Sequence, residues 1–319
     1  TLVRTLTQID PDRLAEEKAR QLTIDLGFAW FDLPDGETIG IVDVPGHRDF
    51  IENMLAGIAG IDAVLLVVAA DEGIMPQTRE HLAIIDLLGI QNGLIVLSKI
   101  DLVEDIEWLD LVELDVRDTV QGTILQDAPM LRLSAHSGNG LAELVDALSK
   151  LLASAPTRSD YRQPRLPIDR VFTIEGFGTV VTGTLAGGTL RIGDTIEIQP
   201  SGLQGRVRGL QSYQRAIEAA LPGSRVAVNV SGIAKDQIMR GHVLTFPNQL
   251  EATHLIDVQF RYLPDLDRPL KHNAEVKFFS GASESLARVR LLNSDSLAPD
   301  ATGWLKLRLE DTLPVTLRD

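Results

Sequence analysis

The chain has 319 residues, 44% of them hydrophobic, no cysteine and a formal net charge of −15. At roughly 100–200 residues per domain it suits two or three domains with cores of their own. The lack of cysteine excludes a disulfide framework and a thiolate metal site. No run of about 18 apolar residues appears, and no basic segment followed by an apolar core stands near the N-terminus. Together these point to a cytoplasmic enzyme with no membrane partner. The charge is divided unevenly. Residues 1–155 hold 10 Lys and Arg against 27 Asp and Glu, and the remainder holds 20 against 18. The second half is therefore able to meet a phosphate backbone without a large repulsive field, although an ordinary surface has the same balance.

In the first half, short apolar strands alternate with amphipathic segments. The first informative strand runs from Thr38 to Val42 and ends in Asp43-Val-Pro-Gly46-His47. An Asp at the end of such a strand holds a Mg²⁺-bound water, a Gly three residues on offers an unobstructed N–H to a terminal phosphate, and a following His orients a water. Phosphoryl transfer needs these parts, because positioning and charge neutralisation do most of the catalysis. Ala63 to Ala69 is a continuous apolar run, as expected of a parallel strand covered on both faces. Gln77 to Leu88 has helical spacing of Leu82, Ile85 and Leu88. Gly93 to Leu97 is a second buried strand and leads into Ser98-Lys99-Ile100-Asp101. Met130 to Leu133 is a third and leads into Ser134-Ala135-His136. Gly140 to Leu152 is a helix with Leu141, Leu144, Leu148 and Leu151 on one stripe. Strands alternating with helices predict a doubly wound sheet. Ligands bind at the carboxyl ends of its strands, where Asp43, Asp101 and Ser134 all lie. Each tripeptide alone is equally an ordinary exit from a strand.

Ser154 to Gln163 is polar, carries Pro156 and is predicted to be a linker. Beyond it, short strands alternate with Gly-rich turns, the pattern of antiparallel barrels. A break at Phe246-Pro247-Asn248 divides this half. The predicted fold is α/β and then all-β, with domains at residues 1–155, 164–247 and 250–319.

The order DxxG, a close variant of NKxD, then SA resembles the guanine-nucleotide-binding domain of GTPases. Residues 46–90, with Asn53-Met-Leu-Ala-Gly-Ile-Ala-Gly-Ile-Asp62, Ala69-Ala-Asp-Glu-Gly73 and Met75-Pro-Gln-Thr-Arg-Glu-His81, resemble the translational GTPases, in which a GTPase domain precedes two β-barrels. Of these, Asn53 to Asp62 and Ala69 to Gly73, with Thr23 to Phe31 and Ile9 to Lys18, are more similar to the selenocysteine-specific elongation factors than to elongation factor Tu. Leu166 to Thr184 resembles the opening of the family's second domain.

This resemblance implies GTP and Mg²⁺ as cofactors. Asp101 would accept hydrogen bonds from guanine N1–H and N2–H, Lys99 would lay its stem along the base, and Ser134, Ala135 and His136 would face guanine O6. Ser98 stands where the family usually has Asn. Thr23 matches the switch threonine that binds Mg²⁺, Asp43 the outer-shell Mg²⁺ ligand, Gly46 the γ-phosphate sensor and His47 the residue that positions the hydrolytic water. Gln21 stands where the family usually has Gly. Asp169 and Arg170 match an acidic–basic pair of the aminoacyl pocket, and Arg225 a further Arg. A salt bridge between barrel strands is the competing reading. Arg206, Arg208 and Arg215 suit tRNA phosphates or a plain exposed face.

The implied function is GTP-dependent delivery of selenocysteinyl-tRNA to the ribosome by a monomer. The alternatives are another translational GTPase or a non-hydrolysing tRNA-binding remnant. The family's GxxxxGK[ST] phosphate loop, its first strand and its C-terminal winged-helix module for an mRNA insertion element have no counterpart in the sequence. The expectation is a piece of a longer protein that by itself binds GTP poorly.

Overall fold

A computed structural model describes residues 1–12, 14–20, 23–55, 60–90, 92–153, 158–264 and 266–316. The chain forms two compact units. The first is built from Thr1–Met54 and the chain from Gly60 to the linker, and the second from Arg158 onward.

The first unit runs α1 (Leu2–Thr7), α2 (Ala15–Arg20), β1 (Gly27–Asp32), β2 (Thr38–Asp43), α3 (Ile51–Leu55), β3 (Val64–Ala69), α4 (Pro76–Leu88), β4 (Gly93–Ser98), α5 (Ile106–Thr119), β5 (Met130–Arg132) and α6 (Leu141–Ala153). β1 and β2 form an antiparallel pair, and β3, β4 and β5 form a parallel sheet in that order. Each strand of the parallel sheet is joined to the next by a helix, as parallel pairing requires. β4 lies in the middle, and Leu94 to Leu97 are fully buried there. On one face Leu66, Val68, Ile95 and Leu97 pack with Leu109, Val112 and Val116 of α5. On the other, Leu94, Val96 and Leu133 pack with Leu144, Leu148 and Leu151 of α6 and with Leu2 and Leu6 of α1.

The expected strands and helices are present, with ends shifted by a residue or so. Two expectations fail. Among the described residues β2 pairs only with β1, in a separate antiparallel sheet, so Asp43 does not end a strand of the parallel sheet that carries Asp101 and Ser134. β3 is not covered on both faces, because Val67 is 46% exposed. Among the described residues β3 pairs only with β4, so its outer half lacks the neighbour that makes a central strand fully apolar.

Local chemistry sets the element ends. Pro76 opens α4, where its missing N–H costs nothing, and Gly89 closes it in the left-handed conformation. Gly140, at φ 80°, starts α6 so close to β5 that an added Cβ would lie 2.3 Å from the Arg132 carbonyl oxygen. Only glycine fits there, and that close approach shapes the loop bearing Ser134.

The second unit contains two sheets with separate cores. The first sheet is formed by β6 (Arg165–Pro167), β7 (Arg170–Ile174), β8 (Gly178–Thr184), β9 (Leu190–Arg191), β10 (Thr195–Gln199), β11 (Leu203–Ser212), β12 (Arg215–Ile217), β13 (Ala219–Ala220), β14 (Arg225–Ser231) and β15 (Val243–Thr245). Its main order is β6-β15-β10-β11-β14-β8-β7, with β9 and β13 paired apart. Arg165 and Ala186 exchange backbone hydrogen bonds of 2.8 Å each, so β6 is tied back to the chain leaving β8 and the sheet curls around Leu166, Ile196, Ile198, Val228 and Leu244. Alternate residues face that core, as β14 shows over its whole length. The second sheet follows, with β16 (Thr253–Arg261), β17 (Leu270–Lys271), β18 (Glu275–Ser280), β19 (Ser283–Leu291), β20 (Ser296–Leu297) and β21 (Thr302–Leu313). It has the order β16-β21-β19-β18, beside a β17–β20 pair. It encloses Ala287, Val289, Leu291, Leu305, Leu307 and Leu309.

Leu133 links core and site, since it is fully buried and precedes Ser134. Leu133→Ala is expected to cost about 2–5 kcal/mol. Urea unfolding of the first unit checks this.

Candidate functional site

The carboxyl ends of β4 and β5 bring two of the expected segments together. Ser98 ends β4, and its hydroxyl donates to the Val68 carbonyl at 3.1 Å, tying the strand to β3. Lys99 then takes the left-handed conformation at φ 57°, which turns the chain sharply, and Asp101 follows on a single 3₁₀ turn. The Asp101 carboxyl is exposed and held below the usual carboxylate range. The main cause is a hydrogen bond from the Ser134 hydroxyl; its own backbone N–H and His136 act in the same direction, against some desolvation. Ser134 is fully buried. Its Oγ also accepts the backbone N–H groups of His136 at 3.2 Å and Ser137 at 3.1 Å. One hydroxyl therefore shapes its own loop and lies close enough to Asp101 to favour its ionised form. Thr5 of α1 donates to the Ala135 carbonyl at 3.3 Å. Lys99 points elsewhere. Its ammonium donates to Asp71 at 3.3 Å and to Glu72 at 3.0 Å.

Asp43, the last residue of β2, lies in an acidic setting. Its carboxyl is pushed up to about 6 by burial first, then by Asp12 and Glu17. Thr23 donates to Asp12 at 3.1 Å. Glu17 is 3% exposed, yet its carboxylate is well provided for. It accepts the N–H groups of Leu14 at 2.8 Å, Ile24 at 3.1 Å and Asp25 at 3.0 Å, and Asn53 holds the Ile24 carbonyl at 2.8 Å. Buried carboxylates persist when hydrogen-bonded in this way. The segment bearing Thr23 is thus anchored from α2 and α3. Gln21 lies outside the described residues.

The oxygen set of Thr23, Asp12 and Asp43 has the hardness that Mg²⁺ requires, and mutual repulsion among carboxylates is what a divalent cation relieves. Among the described residues, no group of three or more His, Asp or Glu is placed to hold a metal alone. Gly46 is exposed, and no atom lies within 4 Å of a Cβ built on it. His47 Nδ1 accepts the Asp49 N–H at 3.2 Å, which places the neutral ring's proton on Nε2.

In the second unit, adjacent strands assemble the other expected group. Asp169 precedes β7, and Arg225 opens β14 on the far side of β8. Arg225 forks onto Asp169 with contacts of 2.7 and 3.1 Å, and Thr182 of β8 donates to the same carboxylate at 2.7 Å. The side chains are 21% and 10% exposed. Arg170 opens β7 opposite Thr182. Arg206 and Arg208 are exposed on β11.

The sequence reading missed Asp12, Glu17, Asp71, Glu72 and Thr182, which act only on other side chains or backbone. It also missed a basic face on the last sheet. There Arg288 lies directly opposite Arg308, and Arg290 opposite Lys306. Like charges facing across a sheet are destabilising. Lys306 is compensated by Asp257 at 2.7 Å. A cleft of about 650 Å³ opens beside them, lined by His272, Arg290, Asn293 and Lys306 among others. The alternations Arg-Val-Arg and Lys-Leu-Arg were the visible signal, but their register was not.

Residues 4–154 match the family model of the elongation factor Tu GTP binding domain, and residues 178–245 match that of elongation factor Tu domain 2. The chain is 49% identical over 316 residues to the selenocysteine-specific elongation factor of Desulfomicrobium baculatum, a match covering 98% of this chain and 49% of that protein. The chain spans about half the length of the curated relatives it matches. It superposes on a crystal structure of a bacterial selenocysteine-specific elongation factor with a TM-score of 0.88 at 33% identity, covering 98% of this chain and 51% of that one. The translation elongation factor SelB of Methanococcus maripaludis, solved in complex with the GTP analogue GPPNHP, gives 0.81 at 27% identity, with 98% and 69% covered. A GTP-binding domain of the elongation factor Tu type, its second domain and similarity to the same relatives along nearly the whole sequence agree: the chain belongs to the translational GTPases, in the group of the selenocysteine-specific elongation factors.

Proposed function

We propose that the protein carrying this chain is a GTP-dependent, cytoplasmic elongation factor that delivers selenocysteinyl-tRNA to the ribosome and uses GTP hydrolysis as its release switch. Residues 1–155 form the nucleotide domain, and residues 164–247 and 250–319 the two barrels. The observation that carries the reading is the Ser134–Asp101 arrangement. It presents an ionised carboxylate, favoured by the neighbouring buried Ser134 hydroxyl, at the carboxyl edge of a parallel sheet, where a base with two adjacent N–H donors is selected. Ala135 and His136 complete that side, and the Lys99 stem supplies an apolar wall. Mg²⁺, when bound with the nucleotide, neutralises phosphate charge. Thr23 and Asp43 would hold it, Asp43 through water. Gly46 offers backbone to the terminal phosphate, and His47 turns its Nε2–H edge toward the attacking water.

At the barrel, a selenol is far more acidic than a serine hydroxyl and is ionised at neutral pH. Arg170 and Arg225 are the cations that would draw a selenolate, and they give serine no advantage. Because Asp169 already pairs with Arg225, its first role is to set the guanidinium plane. The exposed Arg288, Arg290, Lys306 and Arg308 suit an RNA phosphate backbone.

Competition binding to the full-length protein is expected to favour selenocysteinyl- over seryl-tRNA. Arg225→Ala is expected to reduce that preference about ten-fold or more, through loss of a charge-assisted contact. Equal binding of both tRNAs to the wild type would sink the reading. In single-turnover assays His47→Ala is expected to slow GTP hydrolysis about 10²-fold while nucleotide affinity stays within about two-fold. Asp43 makes a pH prediction. Its carboxyl holds its proton up to about 6 in the fold and up to 3.8 in a free chain. The folded state therefore binds more protons in that window, and stability falls as pH rises through it. Asp43→Asn is expected to raise the melting temperature at pH 8 and leave it unchanged near pH 3. Mg²⁺ is expected to raise it at pH 8 for the wild type only. Melting curves across pH check both.

A further inference from the structure

Lys99 and the acidic pair that holds it carry one step more, resting on the guanine reading of Asp101. Asp71 and Glu72 lie on the turn after β3. That turn is tightly fixed. Glu72 N–H and Gly73 N–H both donate to the Ala69 carbonyl, at 3.2 and 2.8 Å, and Ala70 N–H donates to Ser98 at 2.8 Å. The Trp108 indole of α5 donates to the Ala70 carbonyl at 2.9 Å. On the other side, Lys99 is fixed by its left-handed backbone. Two rigid turns from neighbouring parallel strands thus face each other, with one ammonium between two carboxylates at 3.3 and 3.0 Å.

An exposed ion pair of this kind is worth little to stability. Its geometric consequence is larger. Lys99 and Asp101 are two residues apart on one tight turn, and an unrestrained ammonium there has Asp101 as its nearest anionic partner along the chain. Such a contact would occupy the carboxylate lone pairs that a guanine base must use. The influences that act on Asp101 are instead the Ser134 hydroxyl, its own backbone and His136.

We propose that Asp71 and Glu72 are positioning residues of the guanine site: they draw the Lys99 ammonium away from Asp101, keep that carboxylate open to the base's N–H donors, and stretch the Lys99 stem into a fixed wall. Neither acid touches the nucleotide. Both act through Lys99.

The test is a thermodynamic cycle on GDP affinity of the full-length protein, measured by fluorescence titration. Asp71→Asn with Glu72→Gln is expected to weaken GDP binding about ten-fold. Lys99→Met keeps the stem and removes the ammonium. In that background, adding the two acid substitutions is expected to change nothing further, because coupled residues are not additive. The inference is overturned if the acid variant binds GDP as the wild type does, or if it loses the same factor in the Lys99→Met background. GDP affinity absent from the wild type, or present but unaffected by Asp101→Asn, would overturn the guanine reading itself.

Discussion

Parallel pairing of β3, β4 and β5 is the constraint on which the first unit depends. Parallel strands must all start at one edge and end at the other, so the loops that follow them gather along a single rim. The turn with Asp71 and Glu72, the turn with Lys99 and Asp101, and the loop with Ser134 are consecutive along that rim because their strands are consecutive in the sheet. The apolar residues of β4 serve the site only indirectly. Leu94 to Leu97 give no chemistry, yet burying them on both faces fixes the register that sets Ser98 beside Val68.

Ser134 shows how a single buried polar group passes that order outward. A fully buried hydroxyl must satisfy both its donor and its acceptor capacity. Here it accepts from two N–H groups of its own loop, and its influence on Asp101 favours the ionised carboxylate. Threonine would carry the same hydroxyl but add a methyl at a position with no exposed surface. The close approach of Gly140 to β5 leaves no slack for it. Loop shape and carboxylate ionisation are therefore linked through one hydroxyl set by packing.

Much of this was legible in the sequence, for identifiable reasons. Periodicity found the strands and helices of the first half, and the strand ends located Asp43, Asp101 and Ser134, because function at a sheet edge is tied to where an apolar run stops. The barrels announced themselves through Gly-rich turns. What remained hidden depends on contacts between distant segments. Val67 reads as core, and only the strand order reveals that it lies on the outer strand of its sheet. Arg225 and Asp169, 56 positions apart, are grouped by resemblance with a salt bridge as the competing reading, and the β7-β8-β14 order makes that salt bridge. Glu17 reads as one more acid on a surface helix, whereas folding buries it under three backbone N–H groups.

The two aspartates at the ends of β2 and beside β4 make the same point electrostatically. Asp101 is exposed, receives hydrogen-bond donors and is held ionised. Asp43 is buried near Asp12 and Glu17 and holds its proton up to about 6. Environment separates two identical side chains into different chemical roles. The first suits recognition of neutral N–H donors, which calls for a carboxylate charged at all times. The second suits a cation, since a carboxylate that is costly to ionise alone becomes cheap to ionise beside a divalent charge. A metal bound there would displace that proton, which would tie its occupancy both to pH and to the acidic segment that carries Thr23. The negative charge concentrated in the first half of the chain thus has a local use at Asp43. The nearly balanced second half adds little repulsion against an anionic partner near the exposed Arg288 and Arg308.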